Sequence, residues 1–337
     1  MEYKTQGKIL RGIGGLYTVK LATDGSPLSG CTVNCRARGA LRSGDNRPHT
    51  TDKPLVGDNV EVVYTDASFT KSSDGGSVPV PDTAGLPDAA VCALLPRKNA
   101  LIRPPMANLD LLFIVCASAA PSPDTETIDK LLSVAEYYGI ECALVVGKSE
   151  LDRCRADELK SIYTRAGYPV FAVSCATGEG ISSLSDYVSS VMPGKTAAFA
   201  GASGVGKSTL ISTLFPHLEL ESGEISRKIS RGKHTTRRVE LFPSTDGGML
   251  ADTPGFSLID FLNFDFFPFD ALIGTMREFA PYLDGCRYDD CTHTKEEGCA
   301  VLDAVRRGAI AGSRHESYLA MYSVLKNKHP WDNKNRK

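Results

Sequence analysis

The chain has 337 residues, 42% hydrophobic and 23% charged, with a formal net charge of -2. That balance excludes collagen-like, coiled-coil and largely disordered chains, and the length suits two or three domains. The longest apolar stretch, Leu111 to Ala120, is about half of what a bilayer crossing needs, and the opening MEYKTQGKIL lacks a secretory pattern. A cytoplasmic protein is therefore expected, its cysteines reduced thiols or metal ligands.

Residues 1–96 read as short strands, Lys8–Leu10, Leu16–Leu21, Thr32–Ala37, Asn59–Tyr64 and Val91–Leu95, punctuated by Gly, Pro, Asn and Asp. Such spacing predicts a small β-barrel or sandwich. The Ser/Gly/Pro-rich stretch Ser68 to Pro87 predicts a loop before the last strand. Over residues 97–262, short apolar runs at Leu111–Val115, Cys142–Val146, Val170–Val173, Ala197–Ala200 and Met249–Ala251 alternate with helix-period segments. Asp124 or Thr125 stands where the first of these helices needs a cap. The pattern predicts an α/β domain binding ligand at the carboxyl ends of its strands. Residues 263–337 return to helical spacing around a cysteine-rich loop, predicting a small helical domain.

Gly201-Ala202-Ser203-Gly204-Val205-Gly206-Lys207-Ser208, followed by Thr209, fits G-x-x-x-x-G-K-[ST] in full, between an apolar strand and a helix pattern. Glycines let backbone N–H groups turn inward on phosphate oxygens, and the helix start adds partial positive charge. Lys207 is expected on the β and γ phosphates and Ser208 on Mg²⁺. About 45 residues on, Asp252-Thr253-Pro254-Gly255 supplies a carboxylate for the magnesium shell and a glycine N–H for the γ phosphate. Between them, the polar loop Gly232-Lys233-His234-Thr235-Thr236 offers Thr235 and Thr236 as a switch, with Thr236 as a second Mg²⁺ ligand.

The base-reading candidates lie upstream. One is Gly147-Lys148-Ser149-Glu150 after the second apolar run, the other Ser174-Cys175-Ala176 after the third. The order base, base, phosphate, switch, switch permutes the usual GTPase order. On these motifs, and on Leu95-Pro96-Arg97-Lys98-Asn99 leading to Arg103-Pro104 and Ala107-Asn108, the chain resembles the circularly permuted GTPases of the ribosome small subunit-dependent GTPase A family along nearly its whole length.

The resemblance implies an OB-like β-barrel, a permuted P-loop GTPase domain and a small α-helical zinc-binding domain. It also implies GTP and GDP as ligands, the small (30S) ribosomal subunit and its rRNA as partners, and GTP hydrolysis in late subunit maturation or in the protein's own release. A monomer is expected. Where the family has N-K-x-D, this chain has Gly147 and Glu150, so guanine preference is expected to be weaker, with Asp152 two residues too far along to substitute. Phe256 stands where many GTPases place a water-orienting glutamine, which leaves His234 as the candidate to position the water. Two other readings stay open on the residues: a triphosphatase with relaxed base choice, and a catalytically weak rRNA-binding module.

Cys286-x4-Cys291-x-His293-x5-Cys299 gathers three thiolates and an imidazole, a set suited to a closed structural Zn²⁺ site. The remaining seven cysteines are expected to be small apolar fillers. Six of the twelve residues Arg227–Arg238 are basic. Arg36, Arg38, Arg42, Arg47 and Lys53 on the barrel, and Arg306, Arg307, Arg314 and the tail Lys326–Lys337, form candidate rRNA surfaces.

Overall fold

The computed structural model describes residues 2–38, 41, 53–65, 69–71, 77–79, 89–216, 218, 239–245, 247–252 and 266–328. The switch residues Thr235, Thr236 and Gly255, together with His234, Phe256, Arg42, Arg47 and most of the tail, lie outside them. The chain divides into two compact units: Met1–Leu109 with Thr236–Pro254, and Asp110–Thr235 with Gly255–Lys337.

In the first unit, strands β1 (Glu2–Ile13), β2 (Leu16–Leu21), β3 (Thr32–Ala37) and β4 (Asn59–Thr65) precede a two-stranded ribbon, β5 (Phe69–Lys71) with β6 (Ser77–Pro79). Strand β7 (Ala89–Leu94) follows. Pairing runs β1–β2–β3–β7–β4 and returns to β1, closing a five-stranded barrel. Strand β1 is long enough to serve both sides of the closure, its first half on β4 and its second on β2. Gly7 stands at the changeover, where a Cβ would come 2.5 Å from the Val19 side chain, so only glycine admits the close approach. Alternating Ile9, Val19, Leu21, Val33, Val60, Val62, Tyr64 and Val91 fill the interior.

Beyond the barrel, the hairpin of β8 (Ala100–Leu101) and β9 (Met106–Ala107) is tied down by Asn99 and Asn108. The fully buried Arg97 grips Asp58 through two hydrogen bonds of 2.6 and 2.7 Å. The Leu95–Asn108 phrase is therefore a structural clasp.

The second unit holds four parallel strands in the order β12–β11–β10–β13: β10 (Leu111–Ala117), β11 (Glu141–Gly147), β12 (Val170–Ala172) and β13 (Thr196–Ala200). Every residue of β10 is buried, as expected for a strand covered on both faces. Helices α1 (Thr125–Tyr137), α2 (Arg153–Arg165), α3 (Ile181–Val191) and α4 (Lys207–Leu214) connect and follow them. Asp124 caps α1, accepting from the Thr127 N–H at 3.2 Å. Asp152 caps α2, accepting from the Arg155 N–H at 2.9 Å, so its carboxylate belongs to a helix start. Two further strands, β14 (Glu240–Pro243) and β15 (Met249–Asp252), form an antiparallel hairpin that meets β1 in the first unit. Residues after 266 form short 3₁₀ turns, then α5 (Ala300–Arg306) and α6 (Gly312–Lys326).

Candidate nucleotide and metal sites

Because β10 to β13 are parallel, the turns after β11, β12 and β13 all emerge at one sheet edge. The strand between two oppositely wound halves is β10, so this edge is a topological switch point, where α/β sheets bind ligand. The loop after β13 fits tightly against it. Gly201 has φ 148°, and a Cβ there would lie 2.0 Å from the Val115 carbonyl oxygen. Gly204 and Gly206 take φ of 82° and 97°, and Gly206 starts α4. Only glycine serves these positions cheaply. Val205 is buried while Ala202, Ser203, Ser208 and Thr209 are exposed, so the loop presents backbone and hydroxyls outward. Lys207 folds back, donating to the Gly201 and Ala202 carbonyls at 2.6 and 2.8 Å, and burial lowers its pKa. A phosphate tail would compete with those carbonyls for the ammonium.

The structure brings the first base candidate against this loop. Lys148 Nζ donates to the Gly204 carbonyl at 2.7 Å and to the Ala120 carbonyl at 2.5 Å, laying its aliphatic stem along the site. Lys148 itself holds φ 54°, and the Ser149 N–H donates to the Val173 carbonyl at 3.1 Å. A hydrogen bond with Ser174 holds the Glu150 carboxyl below its usual range, and Glu150 Oε2 is a buried acceptor without a hydrogen-bond partner. The second turn is built by Ser174, whose Oγ accepts from the Thr177 N–H at 3.1 Å; Cys175 is half-buried and Ala176 exposed. Gly147, Ser149 and Ser174 are buried beside them. Asp252 closes β15 in the first unit, where burial raises its pKa and Glu240, its cross-strand neighbour, adds to the effect.

The cysteine cluster is assembled as the spacing predicts. Cys286 Sγ lies 3.5 Å from His293 Nδ1 and 3.9 Å from Cys299 Sγ, and His293 Nδ1 lies 3.4 Å from Cys299 Sγ. With Cys291, the four ligand atoms fall within 4.8 Å of one another. A tetrahedron with metal–sulfur bonds of about 2.3 Å and metal–nitrogen bonds of about 2.0 Å has edges of roughly 3.5 to 3.8 Å, so the residues fit a metal ion. His293 takes φ 56° to turn inward, and its carbonyl accepts from His315 Nε2 at 2.8 Å. Burial works to raise the Glu296 pKa, but the Thr292 hydroxyl and backbone N–H groups outweigh it and bring it down to about 2; the Thr292, Thr294 and Lys295 N–H groups donate to Glu296 at 2.9 to 3.1 Å and pin the ligand loop.

A model of the RsgA GTPase domain matches residues 94–262, and one of the RsgA N-terminal domain matches residues 6–68. The small ribosomal subunit biogenesis GTPase RsgA of Agathobacter rectalis is 37% identical over 328 residues, 96% of this chain and 98% of that relative. This chain belongs to the RsgA family of GTPases. The RsgA of Enterococcus faecalis is 36% identical across 96% of the chain and 97% of its own length. Among solved structures, YjeQ from Thermotoga maritima superposes with a TM-score of 0.71 at 29% identity, over 97% of this chain and all of that one. YloQ, described as a circularly permuted GTPase, gives 0.67 at 28% identity, over 97% of each chain. Membership of the RsgA family accounts for the barrel and the permuted motif order together.

Two expectations change. Arg314 cannot present an RNA-binding face, because it is 1% exposed and paired with Asp129 and Glu278. Arg306 and Arg307 are exposed, although Arg306 is paired with Asp303. On the barrel, Arg36, Arg38 and Lys53 are exposed. Of the cysteines expected as fillers, Cys35, Cys116 and Cys142 are buried, but Cys154 is exposed. Sequence reasoning also missed Ser118, which follows β10 and touches the base turn. No helix among the described residues is long and apolar enough to cross a membrane.

Proposed function

We propose that this RsgA-family GTPase works on the small ribosomal subunit, as the names of its relatives suggest, using GTP hydrolysis in late subunit maturation or in its own release. It acts as a cytoplasmic monomer with GTP and Mg²⁺ at the sheet edge. Lys207 and the amides of 201–209 hold the phosphates, Ser208 ligates magnesium, and Lys148, Glu150 and the Ser174–Ala176 turn hold the base. Asp252, Thr235, Thr236 and Gly255 take the magnesium and switch roles their motifs imply. The cysteine cluster holds a structural Zn²⁺. One observation carries the nucleotide reading: Lys148 bridges the base turn and the phosphate loop through the Gly204 carbonyl, placing both at one edge.

The unpartnered Glu150 Oε2 favours guanine, whose N1–H and exocyclic amine are donors, over adenine. Turnover of GTP, ITP and ATP with and without purified small subunits tests the reading. GTP should be turned over slowly alone and faster with subunits, with ITP behind it and ATP last. Failure to retain any purine triphosphate in magnesium would overturn the site. We also propose that His234 positions the attacking water. His234→Ala should cut subunit-stimulated turnover about a hundredfold while changing nucleotide affinity less than about threefold, and equal turnover would remove His234 from the mechanism.

A further inference from the structure

Gly147 has no side chain with which to tie the base-reading turn. The turn is nonetheless tightly held, from the neighbouring strand. Ser118 directly follows β10, whose last residue Ala117 pairs with Gly147 in register. Its N–H donates to the Gly147 carbonyl at 3.0 Å and its hydroxyl to the Lys148 carbonyl at 2.7 Å. Ser118 is 1% exposed, so both bonds are sheltered from water. They act on a strained residue, since Lys148 keeps a left-handed φ of 54° that a lysine adopts only under constraint. The Lys148 carbonyl also accepts from the Leu151 N–H at 3.0 Å, closing the turn that carries Glu150. Two residues past Ser118, the Ala120 carbonyl takes the Lys148 ammonium at 2.5 Å. The segment 118–120 thus grips Lys148 at both its main chain and its tip.

We infer that Ser118 is a positioning residue for base recognition, replacing from β10 the tie that Gly147 cannot provide. This inference rests on the guanine-nucleotide reading above. It does not require Gly147 to be sterically obligatory. A Cβ at Gly147 would meet the Val205 and Cys116 carbonyl oxygens at 3.4 and 3.5 Å, ordinary contacts, and its φ is not in the left-handed range. The position can therefore accept a side chain.

The test compares wild type, Ser118→Ala, Ser118→Thr and the double variant Ser118→Ala/Gly147→Asn in the full chain. Affinities are measured for GDP, IDP and pyrophosphate, and amide exchange is followed over residues 147–151 without nucleotide. Ser118→Ala should weaken GDP binding about tenfold, narrow the GDP-to-IDP ratio and leave pyrophosphate binding within about twofold. It should also speed exchange at 147–151. Ser118→Thr, which keeps the hydroxyl, and the double variant, which restores a side-chain amide, should both recover most of the loss. Unchanged GDP affinity and exchange in Ser118→Ala would overturn the inference, as would an equal loss of GDP and pyrophosphate binding. If wild type binds no guanine nucleotide, the functional reading fails, and the exchange rates alone decide whether Ser118 holds the turn.

Discussion

Withdrawing the metal ion proposed to sit among Cys286, Cys291, His293 and Cys299 should unravel the loop they enclose and loosen the segment from residue 266 to 328. Apart from the tie of α6 to α1, that segment consists of short 3₁₀ turns, the brief α5 and α6 packed around Phe279, Val301, Tyr318 and Met321. A structural zinc ion contributes on the order of 10 kcal/mol to small folds of this kind. Without the ion, three sulfurs and an imidazole crowd one another, and burial pushes the Cys291 thiol up to about 12. The metal must therefore expel protons to bind, and its hold weakens as pH falls. Stepwise chelation followed by circular dichroism and amide exchange should show unfolding at lower chelator concentration near about pH 6 than near about pH 8. Metal release confirmed by mass spectrometry with no loss of protection over 286–299 would remove the structural role.

How much of this was legible in the sequence depended on how local the cause was. The phosphate loop could be read because each glycine answers a demand of its own backbone, most sharply the Gly201 approach to Val115. The four ligands of the cluster fall within one loop, so their spacing alone brought them together. Strand β10 was visible because a buried parallel strand is apolar throughout. Helix α2 was obscured by its polar composition, with only Ala156, Leu159, Ile162 and Tyr163 buried, and Asp152, which the sequence suggests only as a base contact, caps its start. Ser118 was invisible because its role exists only once β10 and β11 are in register. Arg314 misled most, since a lone arginine in a basic stretch reads as surface, whereas its partners stand 185 and 36 residues away.

Those distant partners make Arg314 a buried tie across the second unit. Its guanidinium donates to Asp129 at 2.6 Å and to both oxygens of Glu278 at 2.6 and 3.1 Å, joining α6 to α1 and to the 3₁₀ segment Arg277–Gly285. Tyr163 donates to the same Asp129 oxygen at 2.9 Å, and the rings of Tyr163 and Tyr168 lie 5.8 and 5.9 Å from the guanidinium. Asp129 and Glu278 are 0% and 5% exposed at their side chains, so neither can exchange its partner for water. Arg314→Met keeps the stem but strands two buried carboxylates, and should cost about 3 to 5 kcal/mol in urea unfolding. Burial already raises the Asp129 pKa, and the attraction of Arg314 opposes that shift. In the variant the burial effect remains, opposed only by the Ser317 and Tyr163 hydrogen bonds, so the folded pKa of Asp129 rises further above its unfolded value. The folded variant then binds a proton that the unfolded chain releases, and by linkage its deficit grows as pH climbs above the unfolded carboxyl range and shrinks towards about pH 4. Adding Asp129→Asn to Arg314→Met removes the Asp129 share of the proton dependence, so the double variant's deficit should vary less with pH than the single variant's and be smaller at neutrality. A single variant as stable as wild type, or a deficit that grew on acidification, would show that this buried network does not hold α6 to α1.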